Sequence, residues 1–132
     1  MYIRGPSAPV KMQLTEEGKR LFPKIKEHST VDFHNGPIVS PMNHGDLPGY
    51  VPLAYFRSER VLYPPQEGTM INTPAIVMGH FGKGRVISIS PHPERSAGLE
   101  SIIARSVKAV AAPAQDVPAK VIHEESGVRS QR

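Results

Sequence analysis

The sequence predicts a mixed α/β fold in which strands and helices pack around one sheet. Short apolar segments alternate with clusters of turn-forming residues over most of the chain. Two β-branched runs flank the Phe-Gly-Lys-Gly stretch at 81–84, as the arms of a hairpin do. The segment that follows has apolar residues every three or four positions, which is typical of a helix. The resulting order is strand–helix–strand–strand–hairpin–helix, and it indicates a sheet that carries helices.

The length and composition suit one domain followed by a tail. The chain has 132 residues, which is within the usual size of a single domain. The segment 113–132 is poor in large apolar side chains, so we predict a domain over 1–112 and a disordered tail over 113–132. Only two helices are evident, and a covered α/β sheet normally needs more. The domain is therefore predicted to be part of a larger layered structure.

The charge and hydropathy patterns argue against several classes of partner and predict a location. The formal net charge is +4, but the basic residues are scattered and mostly stand beside acidic ones. No basic stripe is interleaved with aromatic residues, so we predict no nucleic-acid partner. No apolar run approaches the length that spans a bilayer, and the first ten residues lack the apolar region of a secretory signal. These features predict no membrane association and a cytoplasmic location.

The first half of the chain predicts one strand, a short helix and two further strands. Val10–Leu14 alternates apolar and polar residues, and Thr15 is a suitable N-cap for a helix that Pro23 ends. A strand of about four residues around Val31 and Phe33 ends in the turn-forming segment His-Asn-Gly-Pro at 34–37. A further strand is predicted within 51–58. The connection over 58–74 has room for one more strand.

The second half predicts the hairpin and the last helix. Ile76–Gly79 and Val86–Ile89 are the expected arms, with Gly82 and Gly84 allowing a tight turn. Ser96 is the expected N-cap of the helix, which Pro113 ends. The apolar residues at helical spacing in this segment are Leu99, Ile102, Ile103, Val107 and Val110.

His92 and Glu94 form the strongest chemical signal. They follow the second hairpin arm, and a proline precedes each of them. Functional groups often gather at strand ends in α/β sheets, and a carboxylate that orients an imidazole is a common catalytic unit. Such a pair needs a nucleophile. The chain has no cysteine, and none of its serines lies in a Gly-x-Ser-x-Gly elbow.

The stretch GHFGKGRVISISPHPE at 79–94 resembles the closing segment of the class I glutamine amidotransferase-like superfamily. There a Gly-x-Gly hairpin leads to a strand that ends in His-Pro-Glu. The group most similar to this chain is that of the biotin–protein ligase N-terminal domain. Three other stretches agree with it: VKMQLTEEGKRLF at 10–22, FHNGPI at 33–38 and TPAIVMGHFGKGRV at 73–86. The likeness covers roughly residues 3–112.

This resemblance implies a fold and a partial active site. His92 matches the base of a Cys-His-Glu triad and Glu94 matches its orienting carboxylate. The superfamily's nucleophilic cysteine lies on an elbow in the N-terminal half of the domain, so this chain is expected to correspond to the C-terminal half. The implied fold is a partial flavodoxin-like, amidotransferase-like three-layer α/β sheet with a C-terminal β-hairpin and helix.

The other candidate sites have simpler interpretations. His34, Asn35 and Gly36 follow a strand and are candidates to line a small-molecule pocket with His92, although a plain Asn-Gly turn explains them as well. His44, Asp46 and His80 have no recognised ligand spacing, so no metal is predicted. The Gly-Lys-Gly stretch lacks the full phosphate-loop pattern. No cofactor is expected.

Two functions remain open at this stage. The first is a catalytically incomplete amidotransferase-like module that binds a protein or a small molecule. It predicts self-association, or a partner that supplies the missing N-terminal half through an exposed apolar edge or face. The second is a subunit of a split amidohydrolase or amidotransferase, in which another chain supplies the cysteine. The absence of cysteine from this chain favours the first.

Overall fold

The fold is described from a computed structural model, over residues 2–40, 45–46, 48–64 and 67–112. The strands are β1 Tyr2–Ile3, β2 Ala8–Leu14, β3 His28–Phe33, β4 Gly36–Pro37, β5 Tyr50–Phe56, β6 Pro74–Phe81 and β7 Gly84–Ile89. The α-helices are α1 Glu16–Leu21 and α2 Ser101–Ala111, and a single 3₁₀ turn spans Pro93–Arg95. The predicted disordered tail over 113–132 and His44 lie outside the described residues.

Five strands form the main sheet, in the order β3-β2-β5-β6-β7, and β1 pairs with β4 in a separate two-stranded ladder. Every strand pair in the described residues is antiparallel. Both α-helices pack on the main sheet, α1 against β5 and α2 against β7. The predicted mixed α/β class is therefore confirmed. Among the described residues, no helix is long and apolar enough to cross a membrane.

The N-terminal strand and helix agree with the sequence prediction. Strand β2 buries alternate residues, as expected of a strand with one covered face. The Thr15 hydroxyl accepts a hydrogen bond from the Gly18 backbone N–H at 3.0 Å and donates one to the Pro52 carbonyl at 2.8 Å. A Cβ atom on Gly18 would lie 1.9 Å from the Leu53 carbonyl oxygen. Glycine is therefore required where α1 crosses β5.

The turn after β3 differs in one respect from the prediction. Asn35 has a φ of 46°, as expected for a tight Asn-Gly turn. The following Gly36–Pro37 pair was expected only to break a strand, yet it forms β4 by pairing with β1. A two-residue edge ladder tolerates proline because it needs few backbone donors. The strand predicted within 51–58 is confirmed as β5.

The hairpin is confirmed, and it is longer than predicted. Gly79 pairs with Val86 and Phe81 pairs with Gly84, so the loop consists of Gly82 and Lys83. Gly82 has a φ of 59°, which suits the first position of a type II′ turn. Gly84 is part of the ladder, so only one of the two glycines supplies a left-handed conformation.

The last helix begins later than predicted. Its N-cap is Glu100, and the prediction of Ser96 as the cap is wrong. Ser96 instead caps the C-terminal end of the 3₁₀ turn, and a turn at Gly98, with a φ of 82°, separates it from the helix. Of the predicted apolar stripe, Ile102 is buried, whereas Val107 is 61% exposed. The buried face of α2 thus differs from the one that the apolar spacing indicates.

A single carboxylate organises the connection between β5 and β6. Glu59 accepts hydrogen bonds from the backbone N–H groups of Gly68, Met70 and Ile71. These three bonds outweigh the opposing effect of burial and hold the pKa of Glu59 below its usual value. The described residues of this connection contain no further strand. Met70, which belongs to this connection, is fully buried in the core.

Candidate functional site

The segment that contains His92 lies along the outer edge of β3. The His92 backbone N–H donates to the Asp32 carbonyl at 2.8 Å, which forms an isolated β-bridge. The Ser96 hydroxyl accepts from the Asp32 N–H and donates to the His92 carbonyl, each at 2.8 Å. Both backbone groups of Asp32 on this edge are therefore satisfied by the His92–Ser96 segment.

His92 and Glu94 form a close pair at the start of the 3₁₀ turn. The His92 Nδ1 atom lies 2.8 Å from Glu94 Oε1. A carboxylate accepts hydrogen bonds, so Nδ1 carries the proton and donates it to Glu94. The hydrogen bond from His92 holds the pKa of Glu94 below its usual value. The carboxylate thus fixes the position and the protonation of one imidazole nitrogen.

The second imidazole nitrogen is also occupied. His92 Nε2 lies 3.1 Å from the backbone carbonyl oxygen of His34. A carbonyl oxygen only accepts, so this contact is favourable when Nε2 also carries a proton. The imidazole is then a cation bound between Glu94 and the His34 carbonyl. The hydrogen bond to Glu94 is the main reason why the pKa of His92 is raised, and the His34 carbonyl adds to it.

His34, Asn35 and Gly36 lie beside His92, so the structure brings together the five residues predicted to be catalytic or to line a pocket. The rings of His34 and His92 are 6.5 Å apart between centroids. Gly36 is buried, and a Cβ atom there would lie 2.9 Å from the Phe33 ring and 3.0 Å from the Ser90 carbonyl oxygen. The lack of a side chain at Gly36 therefore lets this turn approach the end of β7.

The hydrogen bonds around Asn35 define the tautomer of neutral His34. The Gly5 N–H donates to Asn35 Oδ1 at 3.0 Å, which turns the amide nitrogen toward His34. Asn35 Nδ2 then donates to His34 Nε2 at 3.0 Å. His34 Nε2 is therefore the acceptor, and its Nδ1 carries the proton. This Nδ1 lies 3.3 Å from the Ser7 hydroxyl oxygen.

Ser7 and Arg95 also belong to this cluster, and neither was predicted from the sequence as a site residue. Ser7 Oγ accepts from His34 Nδ1 and lies 3.4 Å from an Arg95 guanidinium nitrogen. An oxygen that accepts from two donors is not being deprotonated, so Ser7 is not arranged as a nucleophile. Arg95 Nε is 3.6 Å from the Asp32 carboxylate. Ser7 and His34 are 27 positions apart, so no local sequence pattern predicts their contact.

No nucleophile faces His92 in the described residues. Its ring nitrogens contact only Glu94 and the His34 carbonyl. The cavity next to Asn35 has a volume of about 10 Å³, enough for about one water molecule. Within the described ranges, no group of three or more potential metal ligands occurs. His80 is exposed on β6, opposite Arg85, and Gly82 and Lys83 form the hairpin turn.

Comparisons of the chain with protein-family models, curated proteins and solved structures find no match. The amidotransferase resemblance therefore stays a prediction, carried by the motifs in the sequence.

Proposed function

We propose that this chain is a catalytically incomplete glutamine amidotransferase-like module, similar to the biotin–protein ligase N-terminal domain group, that works by binding a protein partner. The supporting observation is the His92–Glu94 pair, which has the spacing of a triad base and its carboxylate without a cysteine anywhere in the 132 residues. The base also lacks a free nitrogen, because Nε2 contacts the His34 carbonyl. Both features favour a binding role over chemistry within this chain.

The proposed partner binds at the β7 end of the sheet. Strand β7 has a neighbour on one side only, and no described strand pairs with its outer edge. Val86 is 45% exposed on this strand, and Phe81 at the hairpin turn is 82% exposed. An open strand with exposed apolar side chains is a common site of strand addition. We further propose that the partner completes a flavodoxin-like three-layer sheet of which this chain forms the C-terminal part.

The second candidate is the split amidohydrolase or amidotransferase. It is favoured by the 2.8 Å contact between His92 and Glu94, which keeps the geometry that a catalytic base requires. In this case a partner's cysteine has to displace the His34 carbonyl from Nε2 before the imidazole accepts a proton. The cytoplasmic location predicted from the sequence belongs equally to both candidates and stays a prediction.

Ammonia release from glutamine separates catalysis within this chain from a binding role. We expect the purified chain to release no more ammonia than buffer does, and His92→Ala to behave identically, because the sequence contains no cysteine. Ammonia release that His92→Ala abolishes would overturn the proposal. The split-enzyme candidate is tested by adding a separately purified chain with a Gly-x-Cys-x-Gly elbow. It requires activity that appears only in the mixture and is lost in His92→Ala.

A further inference from the structure

A basic groove lies beside α2, away from the His92 cluster. It is bounded by the chain that follows α1 and by one face of α2, and its volume is about 170 Å³. Its apolar lining comes from Phe22, Pro23 and Ala104. Its polar lining comes from Lys24, Ser101, Arg105 and Lys108. None of these residues belongs to the His92 site, so the groove is an independent feature.

The cations of the groove have no carboxylate partner among the described residues. The described ion pairs involve neither Lys24, Arg105 nor Lys108. The nearby acids of α1 are paired elsewhere, Glu16 with Lys19 and Glu17 with Arg20. Three positive charges thus line one small groove, and none of the residues that line it is acidic. Such an arrangement attracts an anionic ligand.

Arg105 is fixed to the end of α1 by a hydrogen bond. Its Nε atom donates to the Leu21 carbonyl at 3.1 Å, which ties the guanidinium to the end of α1. The terminal nitrogens keep their planar donor geometry, which suits the oxygens of phosphate or carboxylate. Ser101, the first residue of α2, adds a hydroxyl donor to the lining of the groove. The polar groups here are donors or cations, so the groove selects a ligand that accepts hydrogen bonds.

The apolar lining restricts the ligand further. Phe22 is almost completely buried, so the apolar surface that a ligand can cover comes from the Pro23 ring and the Ala104 methyl group, which are exposed. A bare inorganic ion leaves this surface uncovered, whereas an aliphatic or aromatic group covers it. We propose that the groove binds a small organic phosphate, with the phosphate at Lys24, Arg105 and Lys108 and the apolar body against Pro23 and Ala104.

Phenyl phosphate is a suitable probe because it combines both chemistries in a small volume. Amide chemical shifts of the full chain, recorded during titration, should show saturable changes confined to 22–24 and 101–108. Inorganic phosphate should bind about tenfold more weakly, because it does not cover the apolar surface. Equal affinity for the two ligands would overturn the organic part of the proposal. Changes spread over the whole surface would overturn the site itself.

Two variants test the groove by different routes. Arg105→Gln removes the guanidinium, and Ala104→Glu adds a carboxylate at an exposed helical position that tolerates it. Each should weaken phenyl phosphate binding about tenfold or more. Lys83→Gln, in the hairpin turn, makes the same charge change as Arg105→Gln outside the groove and should leave the affinity within about twofold. Equal weakening by Lys83→Gln would mean that only net charge matters, and would overturn the proposal.

A membrane lipid also combines a phosphate with an apolar group, so it could occupy the groove in place of a small soluble ligand. Binding to a lipid phosphate is tested with vesicles of phosphatidylcholine and phosphatidylglycerol. We expect the chain to stay in the supernatant when these vesicles are sedimented, with or without phenyl phosphate. Sedimentation with the vesicles that phenyl phosphate does not reverse would overturn the assignment to a small soluble ligand.

Discussion

The two edges of the main sheet differ in whether the chain supplies hydrogen-bond partners for their outward-facing backbone groups. At the β3 edge, the His92–Ser96 segment satisfies both the carbonyl and the N–H of Asp32. At the β7 edge, no described strand pairs with the outer side, and Val86 and Phe81 expose apolar surface. Unpaired strand edges with apolar side chains favour association with another chain. The chain itself therefore covers the β3 edge at Asp32, whereas no described strand covers the β7 edge.

The closing of the β3 edge also explains where the candidate site lies. The segment that covers β3 is the one that carries His92 and Glu94, and its hydrogen bonds to Asp32 bring His92 next to His34. The geometry of the site is therefore a consequence of edge protection. A change that loosens this cover should alter both stability and the site, whereas a change at β7 should alter association alone.

Ser96→Ala should have the largest effect on stability. It removes the hydroxyl that bridges the Asp32 N–H and the His92 carbonyl at a buried position. Leaving these backbone groups without a partner should lower the free energy of unfolding by about 2 kcal/mol. Urea unfolding measures this change in the free energy of unfolding. Ser88→Ala on the exposed side of β7 is the matched control and should change stability by less than about 0.5 kcal/mol.

An equal effect of the two serine substitutions would contradict the distinction between the closed and the open edge. An unchanged stability in Ser96→Ala would show that water replaces its hydroxyl and that the β3 edge is not closed by this contact.

His92→Gln should have an intermediate and pH-dependent effect. The folded pKa of His92 is raised, so the stabilisation by its charged form is present below the unfolded value of 6.5 and is lost as pH rises through the raised pKa. The pKa of Glu94 is lowered, so its contribution is lost only as pH falls through that lowered value, below 4.5. Wild type should therefore exceed His92→Gln in urea midpoint by more at about pH 5.5 than at about pH 8.5.

Glu94→Gln is the companion variant, because it removes the main cause of the raised pKa of His92. The pH dependence of the difference in urea midpoint should largely disappear in this background. A His92→Gln difference that grows with increasing pH would show that His92 is neutral in the folded state, and would contradict the doubly bonded imidazolium.

Val86→Lys should have the smallest effect on folding and a clear effect on association. The side chain is exposed, so the free energy of unfolding should change by less than about 0.5 kcal/mol. A charge on the open edge should reduce self-association and the binding of a dye that reports apolar surface. Sedimentation velocity and dye fluorescence measure these quantities. Thr30→Lys, an exposed position on β3, is the control and should leave both unchanged.

A wild-type chain that is monomeric and binds no dye would contradict an available β7 edge. Equal effects of Val86→Lys and Thr30→Lys would show that net charge, rather than the location of the edge, controls association.

Much of the local structure was predictable because it depends on neighbouring residues. The alternation in β2, the capping hydroxyl of Thr15 and the glycine at 82 each act within a few positions, and each appears in the structure as expected. The start of the last helix was predicted wrongly for a physical reason. Ser96 is an ordinary N-cap residue, but its hydroxyl bonds to Asp32, which is 64 positions away.

The sequence by itself determined the α/β class, most element positions and the absence of a cysteine nucleophile, because composition and short-range periodicity carry this information. The tertiary structure decided how these elements pair, that the β3 edge is closed and the β7 edge is open, and that His92 Nε2 is bound to the His34 carbonyl. These features join residues far apart in the chain, and they depend on how the antiparallel sheet brings backbone groups together. Local sequence patterns do not encode such pairings.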